Sequence, residues 1–349
     1  MSKSRRAKNR TFATVHDVAR AAGVSPMTVS NFVRGKSVSQ STSKKVEGAI
    51  ARLNYRPNVS ARSLRLSEQL SVGIVIADTD PAFLNDPFIS RVVSGLGNYL
   101  SKLDYTLDIQ GVTPERFGQA TILTKAGNAA LCAILSGSTA QRQQQLQHLK
   151  SLGQPVVVVQ EAPIKPPAAH VAVVAQDDFH GGKQLGDHFA ALGARQILFV
   201  RPALDWYAIE QREKGLRAVR GRRTHRVEVT TLISASEQFD DVWVAVNEQL
   251  ATKRPDAIVA ATDSMAAAAL KSCESRGLRI PDDILLAGFN GFDVWRHLQP
   301  TLTTVVSPAY EMGQRTGELL IERLKSGAFS ASKMMLPVRL QVGGSTSAR

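Results

Sequence analysis

The sequence predicts an α/β protein carrying an all-α helix-turn-helix head. Three observations carry that reading. Apolar, strand-like runs alternate with helical stretches from about residue 70 onward. Near the start, "DVARAAGVSPMTVSNF" reads as two short helices broken at Ala22-Gly23-Val24-Ser25. The charge is divided to match: residues 1–70 hold 14 Lys+Arg and 3 Asp+Glu, a net of +11, while the remaining residues carry a net of only +2. A basic head on a nearly neutral body is the footprint of a nucleic-acid partner.

In the first head helix, Val15, Val18, Ala19 and Ala22 recur at i, i+3, i+4 and i+7, a narrow apolar stripe. Gly23 stands where a helix C-cap is expected, Ser25 suits an N-cap, and Pro26 suits the first helical position. Val29, Phe32 and Val33 form the inward stripe of the second helix. Two helices of about two turns are unstable alone. "STSKKVEGAIARLNY" supplies a third, with Thr42 or Ser43 as cap and Val46, Ile50 and Leu53 facing inward. In a helix-turn-helix the second helix offers its N-terminal end to the DNA major groove. Its outward residues are Pro26, Met27, Ser30 and Asn31. Asn31 suits adenine, and Met27 and Pro26 suit thymine methyls. Thr28, Arg34, Lys36, Lys44 and Lys45 are expected on phosphates. Pro57 ends the unit, and "VSARSLR" is a candidate two-turn hinge helix that forms only against DNA or a second copy. There Leu64 between Arg62 and Arg65 has the make-up of a minor-groove wedge; a plain linker is the alternative.

In the body, the runs "SVGIVIAD", "YTLDIQG", "AALCAILSG" and "PVVVVQ" are separated by helical stretches around 87–103, 114–128 and 139–152. "VAVVAQDD" and a second series, "QILFVRP", "VEVTTLI", "AIVAAT" and "ILLAGFN", follow, with helices near 180–192, 208–221, 237–252 and 263–276. "LTTVVSP" and a long last helix come after both series. Such alternation predicts two parallel sheets with right-handed crossovers. Ligands in such sheets lie beyond the carboxyl ends of the strands. Reading those ends gives 78–88, 136–138, 176–179, 202–212, 262–263 and 289–292 as the candidate site.

The head segments "TVHDVARAAGVSPMTVSNFV" and "VEGAIARLNYRPNVSARSL", with "SVGIVI", resemble the bacterial lactose/galactose repressor family. The body resembles that family and the periplasmic sugar-binding proteins. The resemblance implies a homodimer on palindromic double-stranded DNA, base readers at Pro26, Met27 and Asn31, and minor-groove contacts at Ala61, Leu64 and Arg65. It implies a periplasmic-binding-protein-like body whose chain crosses three times between two halves, with a small-molecule effector in the cleft. Arg212, with Gly215, matches the family's ligand-binding arginine; Asp263 matches the aspartate after the "AAT" strand; Phe88 matches an aromatic wall. Ser136, Asp177, Phe179, Trp206 and Asn290 complete the expected effector set. Pro26 departs from the bulkier polar residue usual in the family. Gln176 and Asn290 stand where aspartates are frequent. Fewer carboxylates around a retained arginine favour an anionic ligand over a plain sugar. "PMTVSNF", "AGFNGFD" and "VGGS" also look like the gluconate-repressor branch, so the expected effector is a sugar or a gluconate-like sugar acid.

The expected divisions are a DNA-binding head at 1–57, a hinge helix and linker at 58–70, and an effector-binding and dimerisation body at 71–349. Within the body, one half takes about 71–171 and 303–333, and the other about 172–302 and 334–349. Two cysteines give neither a disulfide framework nor metal spacing. No phosphate loop, zinc spacing or dinucleotide glycine motif is present. Asp177-Asp178 could be a catalytic pair, but adjacent strand-end residues point opposite ways, and one is expected to cap a helix. No catalytic residues, metal, cofactor or membrane partner are expected, and the place of action is the cytoplasm. The alternatives are a secreted solute-binding protein, which lacks the expected leader, and a sugar-binding or sugar-modifying protein with an accessory DNA-binding head.

Overall fold

The computed structural model describes residues 13–33, 37–53, 55, 71–79, 82–124, 127–204, 206–219 and 227–347. The chain divides into two units, Met1–Gln69 and Leu70–Arg349.

The first unit holds α1 (Val15–Ala22), α2 (Pro26–Val33) and α3 (Gln40–Leu53). Thr14 opens α1 through a capping box. Its side chain accepts from the Asp17 N–H, and the Asp17 carboxylate accepts from the Thr14 N–H at 2.9 Å. Gly23 closes α1 at φ +67, a left-handed conformation that glycine adopts without steric cost. Ser25 Oγ then accepts from the Thr28 N–H at 3.1 Å, so Ser25 caps α2 and Pro26 is its first residue. The third helix starts earlier than its sequence suggests. Ser39, not Thr42 or Ser43, is the cap, with its hydroxyl accepting from the Thr42 N–H at 3.3 Å. Val18, Ala19, Ala22, Val29, Val46 and Ala49 are buried together, with Val15, Phe32, Val33, Ile50 and Leu53 packed around them. Arg52 on α3 donates to the Ala21 carbonyl at 3.2 Å, fastening α3 to the end of α1.

The second unit contains two six-stranded sheets. The first comprises β1 (Ser71–Ala77), β2 (Thr106–Val112), β3 (Ala130–Ile134), β4 (Val156–Val159), β5 (Val171–Gln176) and β11 (Lys333–Leu336), in the order β11-β5-β4-β3-β1-β2. All its pairings are parallel. The second comprises β6 (Gln196–Pro202), β7 (Glu228–Ser234), β8 (Ala257–Ala260), β9 (Leu285–Asn290), β10 (Thr303–Val306) and β12 (Arg339–Gln341), in the order β12-β10-β9-β8-β6-β7. Among the described residues, only its β10–β12 pairing is antiparallel. Strands β3, β4 and β8 are apolar throughout, β5 is apolar up to its last residue Gln176, and all four are buried along their length, as parallel strands covered on both faces must be.

Helices α4 (Pro87–Ser101), α5 (Thr121–Thr124) and α6 (Thr139–Ser151) serve the first half. The segment expected as one helix over 114–128 is instead a 3₁₀ turn at Pro114–Gln119 followed by the single turn of α5. Helices α7 (Asp178–Ala191), α8 (Tyr207–Arg217), α9 (Phe239–Thr252), α10 (Asp263–Ser275) and α11 (Val294–His297) serve the second. The last long helix, α12 (Ala309–Ser326), returns to pack on α4. The chain crosses between halves after β5, after β10 and after β11, three times in all. Each crossing lies a few residues later than the boundaries expected from sequence, because β5, β10 and β11 complete their pairing before the chain leaves the sheet.

Close helix packing in each half depends on paired glycines. A Cβ on Gly182 of α7 would lie 2.1 Å from the Arg212 carbonyl of α8, and one on Gly215 would lie 2.0 Å from the Phe179 carbonyl. Gly95 of α4 and Gly313 of α12 meet the facing backbone in the same way.

Candidate functional site

In the head, the start of α2 presents the groove-facing set. Pro26 is exposed and Met27 is 65% exposed, a large apolar side chain left in water at the helix N-terminus. Ser30 and Asn31 are half-buried one turn later. The Thr28 hydroxyl is hydrogen-bonded to Ser25 at 2.8 Å, and Lys44 and Lys45 are exposed near the start of α3. Arg34, Lys36, Ala61, Arg62, Leu64 and Arg65 lie outside the described residues.

In the body, the strand ends surround a cavity of about 580 Å³. Both sheets reverse their strand order there. The first does so between β1 and β3, and the second between β6 and β8. A crevice opens where neighbouring crossovers leave in opposite directions, so ligand residues gather at such points. Ala77 ends β1 and Asp78 follows it, Ser136 follows β3, Trp206 follows β6, and Thr262 and Asp263 follow β8; all line the cavity. Trp206 Nε1 donates to Ser136 Oγ at 3.0 Å, tying one reversal point to the other. Phe88, Arg212 and Asn290 line the same cavity. The structure therefore brings Phe88, Ser136, Trp206, Arg212, Asp263 and Asn290 together.

Asp177 and Phe179 are not among the described lining residues. Asp177 caps α7, accepting from the His180 N–H at 3.0 Å, and Phe179 is exposed. Their neighbour Asp178 is the buried acid, 2% exposed. One turn of helix separates Asp178 from Gly182, and nearly one turn separates Arg212 from Gly215. The glycine-mediated contact between α7 and α8 thus sets the acid and the arginine side by side. Arg212 Nε donates to Asp178 Oδ1 at 2.8 Å, Nη1 to the Ala261 carbonyl at 2.6 Å and Nη2 to Asn290 Oδ1 at 3.2 Å. The guanidinium carbon also lies 3.8 Å from the centroid of the Phe289 ring. Asp178 is held further by Gln176, whose Nε2 donates at 2.9 Å, and by Gln160. Burial pushes its carboxyl upward, and Arg212 and the two amides oppose that rise. Arg212 is accordingly a neutralised, fixed group that retains two of its five N–H donors. Asn290 reaches it from a φ of +106, a conformation side chains rarely adopt, and so is held there by its surroundings.

Asp263 opens α10 behind the Thr262 cap. Its Oδ1 accepts from Thr304 Oγ1 at 2.6 Å, while Oδ2 is buried with no hydrogen-bond partner among the described residues. Burial raises its pKa to about 7 against the lowering effect of Thr304, the Gly291 and Phe292 backbone and the Arg212 charge.

The expectation of few carboxylates does not hold. Asp78, Asp86, Glu161, Glu237 and Asp263 are among the lining residues. The substitutions at Gln176 and Asn290 are thus offset by acids from other loops, and carboxylate scarcity gives no argument for an anionic ligand. Sequence reasoning also missed Arg142 and Glu161, which line the cavity from α6 and the end of β4. Their segment "TAQRQQQLQHLKS" reads as a solvated helix. The available signal was the stripe Arg142, Gln145 and Leu149 at i, i+3 and i+7, all three of which are buried.

Residues 14–58 match the family described as bacterial regulatory proteins, lacI family, and residues 186–346 match the periplasmic binding protein-like domain. The chain is 26% identical over 318 residues to the HTH-type transcriptional repressor PurR of Vibrio cholerae serotype O1, covering 90% of this chain and 92% of that one. It is 28% identical over 337 residues to the HTH-type transcriptional regulator CelR of Thermobifida fusca, covering 94% and 97%. The fold superposes on a lac repressor dimer bound to operator and the anti-inducer ONPF with a TM-score of 0.83 at 23% identity, over 97% of this chain and all of that one. A CelR–cellobiose complex matches with a TM-score of 0.67 at 26% identity, over 95% and 99%. The capped three-helix head, the two sheets crossed three times and these likenesses together give the chain a lacI-family helix-turn-helix head and a periplasmic-binding-protein-like body.

Proposed function

We propose that the protein is a transcriptional repressor that binds operator DNA as a dimer in the cytoplasm and responds to a sugar or sugar acid in the body's cavity. The observation that carries this reading is the exposed, apolar-tipped N-terminus of α2, with Met27 bare beside Asn31 on a basic head. Such a surface suits the edges of bases and the methyl groups of thymine. Pro26, Met27, Ser30 and Asn31 read bases, while Thr28, Lys44 and Lys45 hold phosphates. The family resemblance assigns phosphates also to Arg34 and Lys36, and the minor groove to Ala61, Arg62, Leu64 and Arg65.

The cavity is a binding site rather than a catalytic one. Its arginine–aspartate pair is locked by hydrogen bonds, and the acids around it accept from ligand hydroxyls. CelR, one of the similar structures, is seen with cellobiose, which supports a carbohydrate-like effector; gluconate-like chemistry is the finer form of the same reading. Effector acts by binding one arrangement of the two body halves better than the other, and couplings of about 1–3 kcal/mol are usual for such control. The test is a titration of full-length protein on DNA from upstream of its own gene, with gluconate, 2-ketogluconate and neutral hexoses added in turn. Ligand-dependent release or tightening of a palindromic fragment is the expected result. Turnover of the sugar, or salt-independent DNA binding, would overturn it.

A further inference from the structure

Arg142 is 8% exposed, and its Nε and Nη1 donate no hydrogen bond among the described residues. Among the described residues its ion-pair partner is Glu161 at 3.6 Å, too long for a hydrogen bond. The contrast with Arg212 is sharp, since every nitrogen of that side chain has an acceptor. A buried cation with idle N–H groups is costly, and natural structures keep few of them. Glu161 does not neutralise Arg142 well. Its Oε1 is engaged by the Ala162 N–H at 2.8 Å, and burial pushes its carboxyl upward, with the Glu210 charge adding to that rise and the Ala162 N–H and the Arg142 charge only partly opposing it.

The placement supplies a reason for the cost. Arg142 lines the main cavity and also a second one of about 660 Å³, where Lys165, Arg201 and Lys214 add positive charge. Arg201 and Lys214 are engaged by Glu213 and Glu210 respectively. Arg142 is therefore the buried cation with spare donors on the wall between the two spaces. Asp78, Asp86, Glu237 and Asp263 line the main cavity alone, Glu161 lines both, and Glu210 lines the second, where the described cations Arg142, Lys165, Arg201 and Lys214 outnumber the two acids. A ligand satisfying both regions carries hydroxyls along most of its length and an anionic group at one end.

Resting on the sugar-type effector proposed above, we infer that Arg142 is the specificity-determining residue of the cavity: it receives the anionic group of a polyhydroxylated acid, either a carboxylate or a phosphoryl group. The planar guanidinium offers two parallel donors to such a group, a geometry that neither a neutral sugar nor a lysine reproduces.

The experiment uses the full chain and matched probes: gluconate with glucose, galacturonate with galactose, and glucose 6-phosphate to separate phosphoryl from carboxylate. Direct binding is measured calorimetrically for the unaltered protein, Arg142→Gln and Arg142→Lys. At least one anion should bind the unaltered protein about 10- to 100-fold tighter than its neutral partner, the size of a charged hydrogen bond. Arg142→Gln should erase that ratio, and Arg142→Lys should keep only part of it. Neutral sugars binding as tightly as acids, or a ratio untouched by Arg142→Gln, would overturn the assignment and leave the sugar reading standing. Failure of every probe to bind would overturn both. A ligand-free readout is independent of the probes. Because the Nε and Nη1 N–H groups are idle, the double variant Arg142→Gln/Glu161→Gln, which leaves no partner charge buried alone, should leave the thermal midpoint unchanged or raise it. A fall of several degrees would make Arg142 a structural group and end the proposal.

Discussion

Replacing Asp263 with asparagine should flatten the pH dependence of stability between about pH 4 and pH 7. The carboxyl is buried at the start of α10, beside Thr304 and within the field of Arg212. Burial moves it from an ordinary 3.8 to about 7. The folded chain thus holds this proton more tightly than the unfolded one does. A raised carboxyl contributes stability fully below pH 3.8, and that contribution drains away as pH climbs to about 7. At about 1.4 kcal/mol per pH unit, the interval is worth about 4 kcal/mol. Asparagine occupies the same volume, still accepts from Thr304 and does not titrate. Urea unfolding of the full chain, run every half unit from pH 4 to pH 8, measures the effect. Asp86, Glu161 and Asp178 are raised too, so the unaltered protein loses stability through several groups. The difference between the two proteins isolates Asp263. It should grow by about 3–4 kcal/mol in favour of asparagine as pH rises. A difference curve that stays flat would refute the buried-carboxyl argument. Ligand binding gives a second reading. A sugar hydroxyl donating to Asp263 favours its charged form, so affinity should rise with pH through about 7, and the asparagine variant should lose that rise.

Asp178→Ala leaves Arg212 buried without its counter-charge and should cost about 3–5 kcal/mol in chemical denaturation; a cost under about 1 kcal/mol would show that Ala261 and Asn290 suffice to hold the arginine. Gly215→Ala puts a methyl group 2.0 Å from the Phe179 carbonyl and should destabilise by about 1–3 kcal/mol or more while weakening ligand binding; unchanged ligand affinity would separate helix packing from Arg212 placement. Asn31→Ala should cost about 1–3 kcal/mol at one base position of each half-site, whereas Lys44→Ala should weaken all sequences alike and lower the salt slope by about one. The reverse pattern in a binding scan would mean that α2 meets DNA through another face.

Much of this protein was legible from local pattern. The head's caps are local chemistry: Gly23 and Ser25 act within three or four residues of where they stand, so their residue types foretold their roles. Apolar runs such as "QILFVRP" and "ILLAGFN" became central strands because burial on both faces leaves no room for polar alternation. Strand ends pointed to the segments that hold Phe88, Ser136, Trp206, Arg212, Asp263 and Asn290, because parallel sheets gather ligand residues at one edge, and the family resemblance singled out Phe88, Arg212 and Asp263 within them. Edge strands β11 and β12 gave no comparable signal; they are short and partly exposed, and their partners come from distant parts of the chain. Which of Asp177 and Asp178 caps a helix and which meets Arg212 depended on how α7 leaves its strand. The fate of Arg142 was likewise a tertiary matter. A polar helix places an arginine in water or in a cavity wall according to what packs beside it, and here Leu149 and Gln145 turned that face inward. Residue type and period determine the elements and the edge at which they present their chemistry. Partners from opposite halves of the chain decide which charges are neutralised and which are left with spare donors, because electrostatic pairing depends on distances that only the folded chain sets.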